Sequence, residues 1–212
     1  MFYDTARNDH GLPHNPVKAL VGPRPIGWIS ALNAKGELNL SPYSFFNAVG
    51  ESPFIVAFSS NGYKDAVAFI DETREFVCNL ATYDLRFAMN GTSAPLPRGE
   101  SELENVGLTR APSRLVKPPR VAEAPAALEC KWLQTIQLSD IDGRQLDQFL
   151  VLGQIVGVHI DDRFIVEGKV DTAAMRPIMR GGYMDYFVAT PETKFSIQRP
   201  RGGGGEGNRG PM

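Results

Sequence analysis

Short apolar runs of strand length recur along the chain, and residues that favour turns separate them. Residues 65–72 and 85–90 show helical spacing instead, and Asp84 is expected to cap the second helix. Strands at short spacing with few small helices favour a mainly β antiparallel barrel over a sheet of alternating strands and helices. The predicted strands cover residues 24–32, 38–41, 54–59, 76–81, 127–138, 149–160 and 183–188.

The chain divides into three parts by composition. A polar segment, residues 1–15, precedes one predicted β-rich domain, residues 16–199, and a glycine-rich tail, residues 200–212, follows it. The tail has almost no apolar side chains to bury, so we expect it to be flexible. Inside the domain, residues 94–117 are rich in proline, glycine and charge, and they are predicted to run mostly over the surface.

The charge of the chain gives no reason to expect a nucleic-acid or membrane partner. The 22 basic and 24 acidic residues nearly cancel, which leaves a formal net charge of -2. No apolar run approaches the ~20 residues that span a bilayer, and the polar N-terminus lacks the apolar core of a signal peptide. The expected location is therefore the cytoplasm, where Cys78 and Cys130 are predicted to be small buried side chains rather than a disulfide.

Several common catalytic and binding motifs are absent from the sequence. There is no glycine-rich dinucleotide fingerprint between a strand and a helix, no phosphate-binding P-loop and no nucleophile elbow. His10 and His14 have the spacing of a metal pair on a helix, but Gly11 and Pro13 between them oppose that helix. We therefore predict no metal site, and no residue is assigned a catalytic role.

The polar residues directly before the first predicted helix form a candidate phosphate site. Two hydroxyls, an amide, a glycine and Lys64 lie between Ser59 and Asp65. Backbone N–H groups and the positive end of the helix dipole converge at such a helix N-terminus and favour an anion. The alternative interpretation is a capped helix with a solvated lysine.

The aromatic segment at residues 41–47 is a second candidate binding element, because it is too aromatic for a solvated loop. Apolar walls with a few polar groups at the edge suit a flat heteroaromatic ring. Ser44 and Asn47 are the candidate polar groups, and the candidate walls are Trp28, Tyr43 and Phe45. The alternative interpretation is that these aromatic residues are ordinary barrel core.

A third candidate element is the tetrapeptide Arg180-Gly181-Gly182-Tyr183. Paired glycines allow another group to approach the backbone closely, and Arg180 adds a hydrogen-bond donor. The alternative interpretation is a plain turn.

In this order and with these gaps, the segments RPIGWIS, NLSPYSFFN, SSNGYKDA and RGGYMDYF resemble the flavin reductase-like, FMN-binding split-barrel family. The resemblance covers about residues 17–190, and Ala66 stands where relatives often have a threonine that supplies a phosphate hydroxyl. It implies a Greek-key antiparallel split β-barrel and a homodimer, with FMN rather than FAD at or near the subunit interface. The flavin contacts that it implies are Ser41, Pro42, Tyr43, Ser44, Phe45 and Asn47, the phosphate contacts are Ser59, Lys64 and Asp65, and Arg180 and Tyr183 help to close the site.

The function that this resemblance implies is an NAD(P)H-dependent flavin oxidoreductase. NAD(P)H is expected to bind only transiently as the hydride donor, which agrees with the absent dinucleotide fingerprint. The electron acceptor is either a small molecule or an oxygenase partner. Two alternatives remain open: an FMN-binding electron carrier without NAD(P)H activity, and a β-barrel binding module without redox chemistry.

Overall fold

The computed structural model describes residues 1–97 and 99–198. Its helices and strands lie largely where the apolar pattern predicts them, with several short additions. The α-helices are α1 (Val17–Leu20), α2 (Asp65–Thr73), α3 (Arg86–Gly91) and α4 (Glu102–Asn105). The strands are β1 (Arg24–Pro25), β2 (Gly27–Leu32), β3 (Leu38–Tyr43), β4 (Phe46–Glu51), β5 (Phe54–Asn61), β6 (Glu75–Leu80), β7 (Arg110–Ala111), β8 (Arg120–Val121), β9 (Ala126–Ser139), β10 (Gln145–Ile160), β11 (Ile165–Val166), β12 (Lys169–Val170), β13 (Ile178–Arg180) and β14 (Tyr186–Val188).

Seven antiparallel strands form the main sheet of the split β-barrel, in the order β3-β2-β6-β9-β10-β5-β4. The long β9–β10 hairpin is its centre, and the turn at Asp142-Gly143 closes that hairpin with Gly143 at φ +81°. The sheet is closely packed at Gly153, where an added Cβ would lie 2.3 Å from the Phe76 ring. The predicted mainly β barrel fold is confirmed.

Helix α2 covers one face of this sheet. Its buried residues are Ala66, Val67, Phe69 and Ile70. They pack with Ile29, Phe58 and Phe76 in the larger hydrophobic core. A second core joins Trp28 and Leu40 to residues of α3 and α4. The site described below lies where these two cores meet at β3.

The first predicted strand is wrong in one respect, because the structure divides residues 24–32 into β1 and β2. Strand β1 leaves the main sheet and pairs with β13, so that Arg24 stands opposite Arg180. Residue Pro25 has no N–H to donate to a ladder, which restricts it to a short edge strand. The second sheet, in the order β1-β13-β14, brings two arginines together across 156 positions of sequence.

Residues 41–47 are not a loop, because β3 extends to Tyr43 and β4 begins at Phe46. Only Ser44 and Phe45 connect the two strands, and the Phe45 carbonyl accepts a hydrogen bond from the Ser59 N–H at 2.8 Å. Tyr43 and Phe46 both pack with the larger core, and aromatic residues favour such a half-buried extended backbone.

The segment at residues 94–117 contributes more buried side chains than predicted. Its helix α4 places Leu103 and the carboxylate of Glu102 in the interior. Buried Glu102 accepts hydrogen bonds from Asn39 Nδ2 at 2.8 Å and from the Leu40 N–H at 2.9 Å. These bonds satisfy the carboxylate, which burial alone would destabilise.

The predicted cap of the helix at residues 85–90 is wrong. The N-cap of α3 is Leu85, and no side chain bonds to the first turn. The carboxylate of Asp84 instead meets Arg176 Nη1 at 3.2 Å, because an ion pair between separate segments competes with the local cap.

A buried carboxylate fastens a second part of this segment to β9. Glu129 is fully buried and accepts hydrogen bonds from the N–H groups of Arg114, Leu115 and Val116, and it contacts His159 Nε2. Burial raises the pKa of the Glu129 carboxyl, but these hydrogen bonds, led by that of His159, outweigh it and hold the pKa below the usual value.

Over residues 1–97 and 99–198, no helix has both the length and the apolar character that crossing a membrane requires. The tail at residues 200–212 lies outside the described residues. The boundaries of the domain, residues 16–199, stay a prediction.

Candidate functional site

A cavity of about 560 Å³ lies between the end of β3, the start of α2 and the segment after α3. We call it the Lys64 cavity. Helix α2 contributes its N-terminal end, with Lys64 at the N-cap in an extended conformation (φ -82°, ψ 173°). The cavity is lined by Asn39, Ser41, Pro42, Tyr43, Lys64, Asp65, Ala66, Thr92, Ser93, Ala94, Pro95, Leu96 and Glu102.

The Lys64 cavity carries charges of both signs. Lys64 is the cation among its described lining residues, whereas Asp65 and Glu102 supply two carboxylates. Burial raises the pKa of the Glu102 carboxyl, and the charge of Asp65 raises it further against the opposing hydrogen bonds. Burial likewise raises the pKa of Tyr43 to about 12, so its hydroxyl stays protonated at neutral pH.

A second cavity, of about 260 Å³, lies beside the first, and we call it the Arg180 cavity. Three cations line it, Lys18, Arg24 and Arg180, and its described lining contains no carboxylate. None of the three forms an ion pair with any residue in 1–97 or 99–198. The remaining lining residues are Ile26, Pro42, Ser44, Met89, Asn90, Ser93, Gly181, Tyr183 and Tyr186.

Backbone carbonyls hold Arg24 in place. Its Nη1 donates to the carbonyls of Lys18, at 2.6 Å, and Val21, and its Nη2 donates to the Gly181 carbonyl at 2.9 Å. The residue is only 8% exposed, and its Nε has no hydrogen-bond partner. Backbone carbonyls therefore hold the Arg24 guanidinium in a largely desolvated position.

The paired glycines allow the close approach that the sequence predicts. A Cβ added to Gly182 would lie 2.5 Å from the Cβ of Ala19. Tyr183 then adopts a positive φ of 55°, and Arg180 bonds the Tyr186 hydroxyl at 2.6 Å and the Tyr183 carbonyl. The group that approaches Gly182 is helix α1, which this contact fixes beside the Arg180 cavity.

Pro42 and Ser93 line both cavities, so the two form one continuous groove across the end of β3. Most of the predicted site residues lie along it. Those in the Lys64 cavity are Ser41, Pro42, Tyr43, Lys64 and Asp65; those in the Arg180 cavity are Pro42, Ser44, Arg180 and Tyr183.

Four predicted site residues do not line the groove. Trp28 is completely buried in the second core, and its Nε1 donates to Thr92 Oγ1 at 2.9 Å, so it supports a lining residue rather than forming a wall. Asn47 is exposed on β4, where its Oδ1 accepts from the Ala48 N–H. Ser59 lies on β5 behind the cavity.

Phe45, the fourth of these residues, lies under the cations of the Arg180 cavity. Its ring centroid is 6.0 Å from Lys18 Nζ and 5.5 Å from Arg24 Cζ. An aromatic face attracts cations at this distance. The Phe45 ring therefore attracts two of the three cations of the cavity, Lys18 and Arg24.

Sequence reasoning missed one wall of the groove and two of its cations. Residues 94–96 and Glu102 belong to the segment at residues 94–117 that was predicted to lie mostly on the surface, and Thr92 and Ser93 directly precede it. Lys18 comes from α1, which is too short to give a periodic signal. Arg24 belongs to a recognised motif, but only its pairing with β13 shows that it faces this site.

Comparison with known proteins shows the family of this chain. Residues 22–171 match the family described as the flavin reductase like domain. An uncharacterised protein of Aquifex aeolicus is 33% identical over 187 residues, which cover 85% of this chain and 92% of that protein.

Two solved structures extend the likeness to the fold of nearly the whole chain. Nitrilotriacetate monooxygenase component B from Bacillus cereus has a TM-score of 0.84 at 25% identity, covering 93% of this chain and 98% of that one. The 2-nitrobenzoate 2-nitroreductase of Pseudomonas fluorescens has a TM-score of 0.81 at 28% identity, covering 96% and 100%. The groove at β3 is thus the candidate site of a chain that belongs to the flavin reductase-like family of split-barrel flavoproteins.

Proposed function

We propose that this protein binds FMN in the Lys64 cavity and uses NAD(P)H to reduce it. The observation that supports this proposal is the continuous groove at β3, which the motif residues of the flavin reductase-like family build from three distant parts of the chain. Its volume is within the range of small-molecule sites, roughly 300–1,000 Å³.

The residues along the groove fit FMN. Pro42 and Tyr43 offer apolar surface, and the hydroxyls of Ser41, Ser44 and Ser93 offer polar contacts for the edge of a ring system. Lys64, at the mouth of the cavity beside the N-terminus of α2, is the proposed partner of the phosphate. We propose FMN rather than FAD, because a single phosphate matches the one lysine in the described lining of the Lys64 cavity.

Ser59 and Asn47 do not line the groove, so we propose that they affect FMN binding through the backbone rather than by side-chain contact. The Ser59 N–H holds the Phe45 carbonyl and so fixes the β3–β4 connection that carries Ser44. When bound, FMN supplies the hydride and electron chemistry itself, since its ring accepts a hydride from NAD(P)H. The residues along the groove bind and orient the flavin ring.

We also propose a homodimer and an external electron acceptor. Large apolar side chains on β4 and β5 are exposed, including Val49 and Phe54 at 58% each, and exposed apolar patches mark interaction surfaces. One structural neighbour is named as component B of a monooxygenase, which supports a monooxygenase as one recipient of the electrons.

Anaerobic reduction of the FMN-loaded protein tests the proposed function. The visible absorbance of the oxidised flavin is followed after NADH or NADPH is added. Bleaching on addition of either donor supports the oxidoreductase. An FMN complex that neither donor reduces, but that a chemical reductant bleaches, would instead support an electron carrier. A protein that binds no FMN would refute both and favour the binding module.

A further inference from the structure

The Arg180 cavity opens into a third cavity of about 330 Å³, with which it shares Met89, Asn90, Arg180 and Tyr186. We call it the Phe187 cavity. Its described lining contains no carboxylate, and it is mostly apolar: Tyr83, Arg86, Phe87, Ile178, Met184, Phe187 and Val188 complete it. A cationic cavity and an aromatic one therefore adjoin at Arg180.

The positive charge of the Arg180 cavity has no counter-charge in residues 1–97 and 99–198. Arg24 is bonded only to carbonyls, Arg180 only to a phenol, a carbonyl and a thioether, and Lys18 has no ion pair. Cations held close together without anions repel one another, most strongly where they are partly desolvated, as Arg24 is. An anionic ligand would relieve this repulsion.

The neighbouring cavities decide what kind of anion fits. The Phe187 cavity offers apolar and aromatic surface directly beside Arg180, so the anion should carry an apolar ring or chain. A guanidinium and a carboxylate form paired, parallel hydrogen bonds, which gives Arg180 a natural partner. Most of the described residues that line the Phe187 cavity are apolar or aromatic, so that cavity offers few polar partners for a nucleotide base and ribose.

We propose that the Arg180 and Phe187 cavities together bind a small aromatic carboxylic acid as the second ligand of the site. Its carboxylate lies among Lys18, Arg24 and Arg180, and its ring lies against Phe187 and Tyr83. This inference rests on the proposed function only in placing the acid beside the flavin, because its cavity adjoins the Lys64 cavity at Pro42 and Ser93.

Titration of the purified full-length chain with three probes, followed by calorimetry, tests the proposal. Benzoate combines the charge and the ring, benzyl alcohol has the ring alone, and acetate has the charge alone. Benzoate should bind at least tenfold more tightly than either of the others. Lys18→Gln should weaken benzoate by about tenfold, equivalent to ~1.4 kcal/mol, and leave benzyl alcohol unchanged. Phe187→Ala should weaken both ring compounds.

The matched control is Lys35→Gln, which removes an exposed lysine from the β2–β3 turn without touching any cavity. Benzoate should bind this variant as it binds the unaltered chain. Inorganic phosphate that binds as tightly as benzoate would overturn the proposal, as would equal losses for benzoate and benzyl alcohol in Lys18→Gln. Circular dichroism confirms that each variant is folded.

FMN titrations of the same variants separate this proposal from the proposed function. FMN affinity that Lys18→Gln leaves unchanged, while benzoate weakens, supports separate ligands. If Lys18→Gln weakens FMN but not riboflavin, the cavity holds the flavin phosphate and the carboxylate proposal is wrong. If FMN does not bind at all, the proposed function is wrong, and tight, Lys18-dependent binding of benzoate still supports an acid site.

Discussion

Replacing Lys64 with alanine tests the proposed position of the FMN phosphate. A hydrogen bond to a charged group contributes about 1.5–3 kcal/mol, and Lys64 is exposed, so the lower end of that range applies. Lys64→Ala should therefore weaken FMN binding by roughly tenfold. Lys64 is the cation in the described lining of this cavity, so no neighbouring cation there compensates for the lost lysine. The carboxylates of Asp65 and Glu102, which line the same cavity, repel a phosphate.

Riboflavin is the decisive comparison, because it has the same ring and ribityl chain but no phosphate. Lys64→Ala should leave riboflavin affinity nearly unchanged, and the free energy of unfolding of the apoprotein should change by less than about 0.5 kcal/mol. Quenching of flavin fluorescence measures both affinities, and Lys35→Ala is the control for the loss of an exposed lysine. Equal losses for FMN and riboflavin would refute the proposed phosphate site, as would equal affinity before and after the substitution.

Three further predictions concern assembly and stability. Sedimentation equilibrium should give twice the 23.2 kDa chain mass, and a monomer that binds FMN tightly would contradict the proposed dimer. Gly182→Ala should lower the free energy of unfolding by ~1–3 kcal/mol, because its Cβ would overlap Ala19. An unchanged midpoint of urea unfolding would show that α1 can move away without loss of stability. His159→Ala should lower the free energy of unfolding by ~1–3 kcal/mol at pH values above 4.5, which is the ordinary pKa of a glutamate carboxyl. Since the pKa of Glu129 in the folded protein lies below 4.5, this contribution should disappear as the pH falls through it, and a loss independent of pH would contradict the assignment.

The sequence predicts most reliably what local periodicity determines. Helix α2 begins at the predicted residue and extends one position further, because the spacing of Ala66, Phe69 and Ile70 is a property of adjacent turns. The β9–β10 hairpin follows in the same way from two apolar runs and the turn at Gly143. Such elements position the Lys64 cavity, and the motif at Lys64 could accordingly be recognised.

What the sequence does not predict depends on partners far along the chain. The burial of Glu102 needs donors from β3, more than 60 positions away, and a proline-rich segment with charges gives no local sign of that. Arg24 and Arg180 become neighbours only through the β1–β13 ladder. The Arg180 cavity could not be predicted for this reason, although Arg180 itself was a candidate.

The distribution of charge along the groove argues for two anionic ligands rather than one. A ligand with a single phosphate beside Lys64 leaves the three cations around Arg24 without a counter-charge. A phosphate placed among those cations instead leaves the N-terminus of α2 and its lysine without a ligand. Two anions, on either side of Pro42, satisfy both regions, and this division makes the two lysine substitutions independent of each other. Lys64→Ala should weaken FMN and spare benzoate, and Lys18→Gln should do the reverse; one ligand affected by both changes would show that a single anion spans the groove.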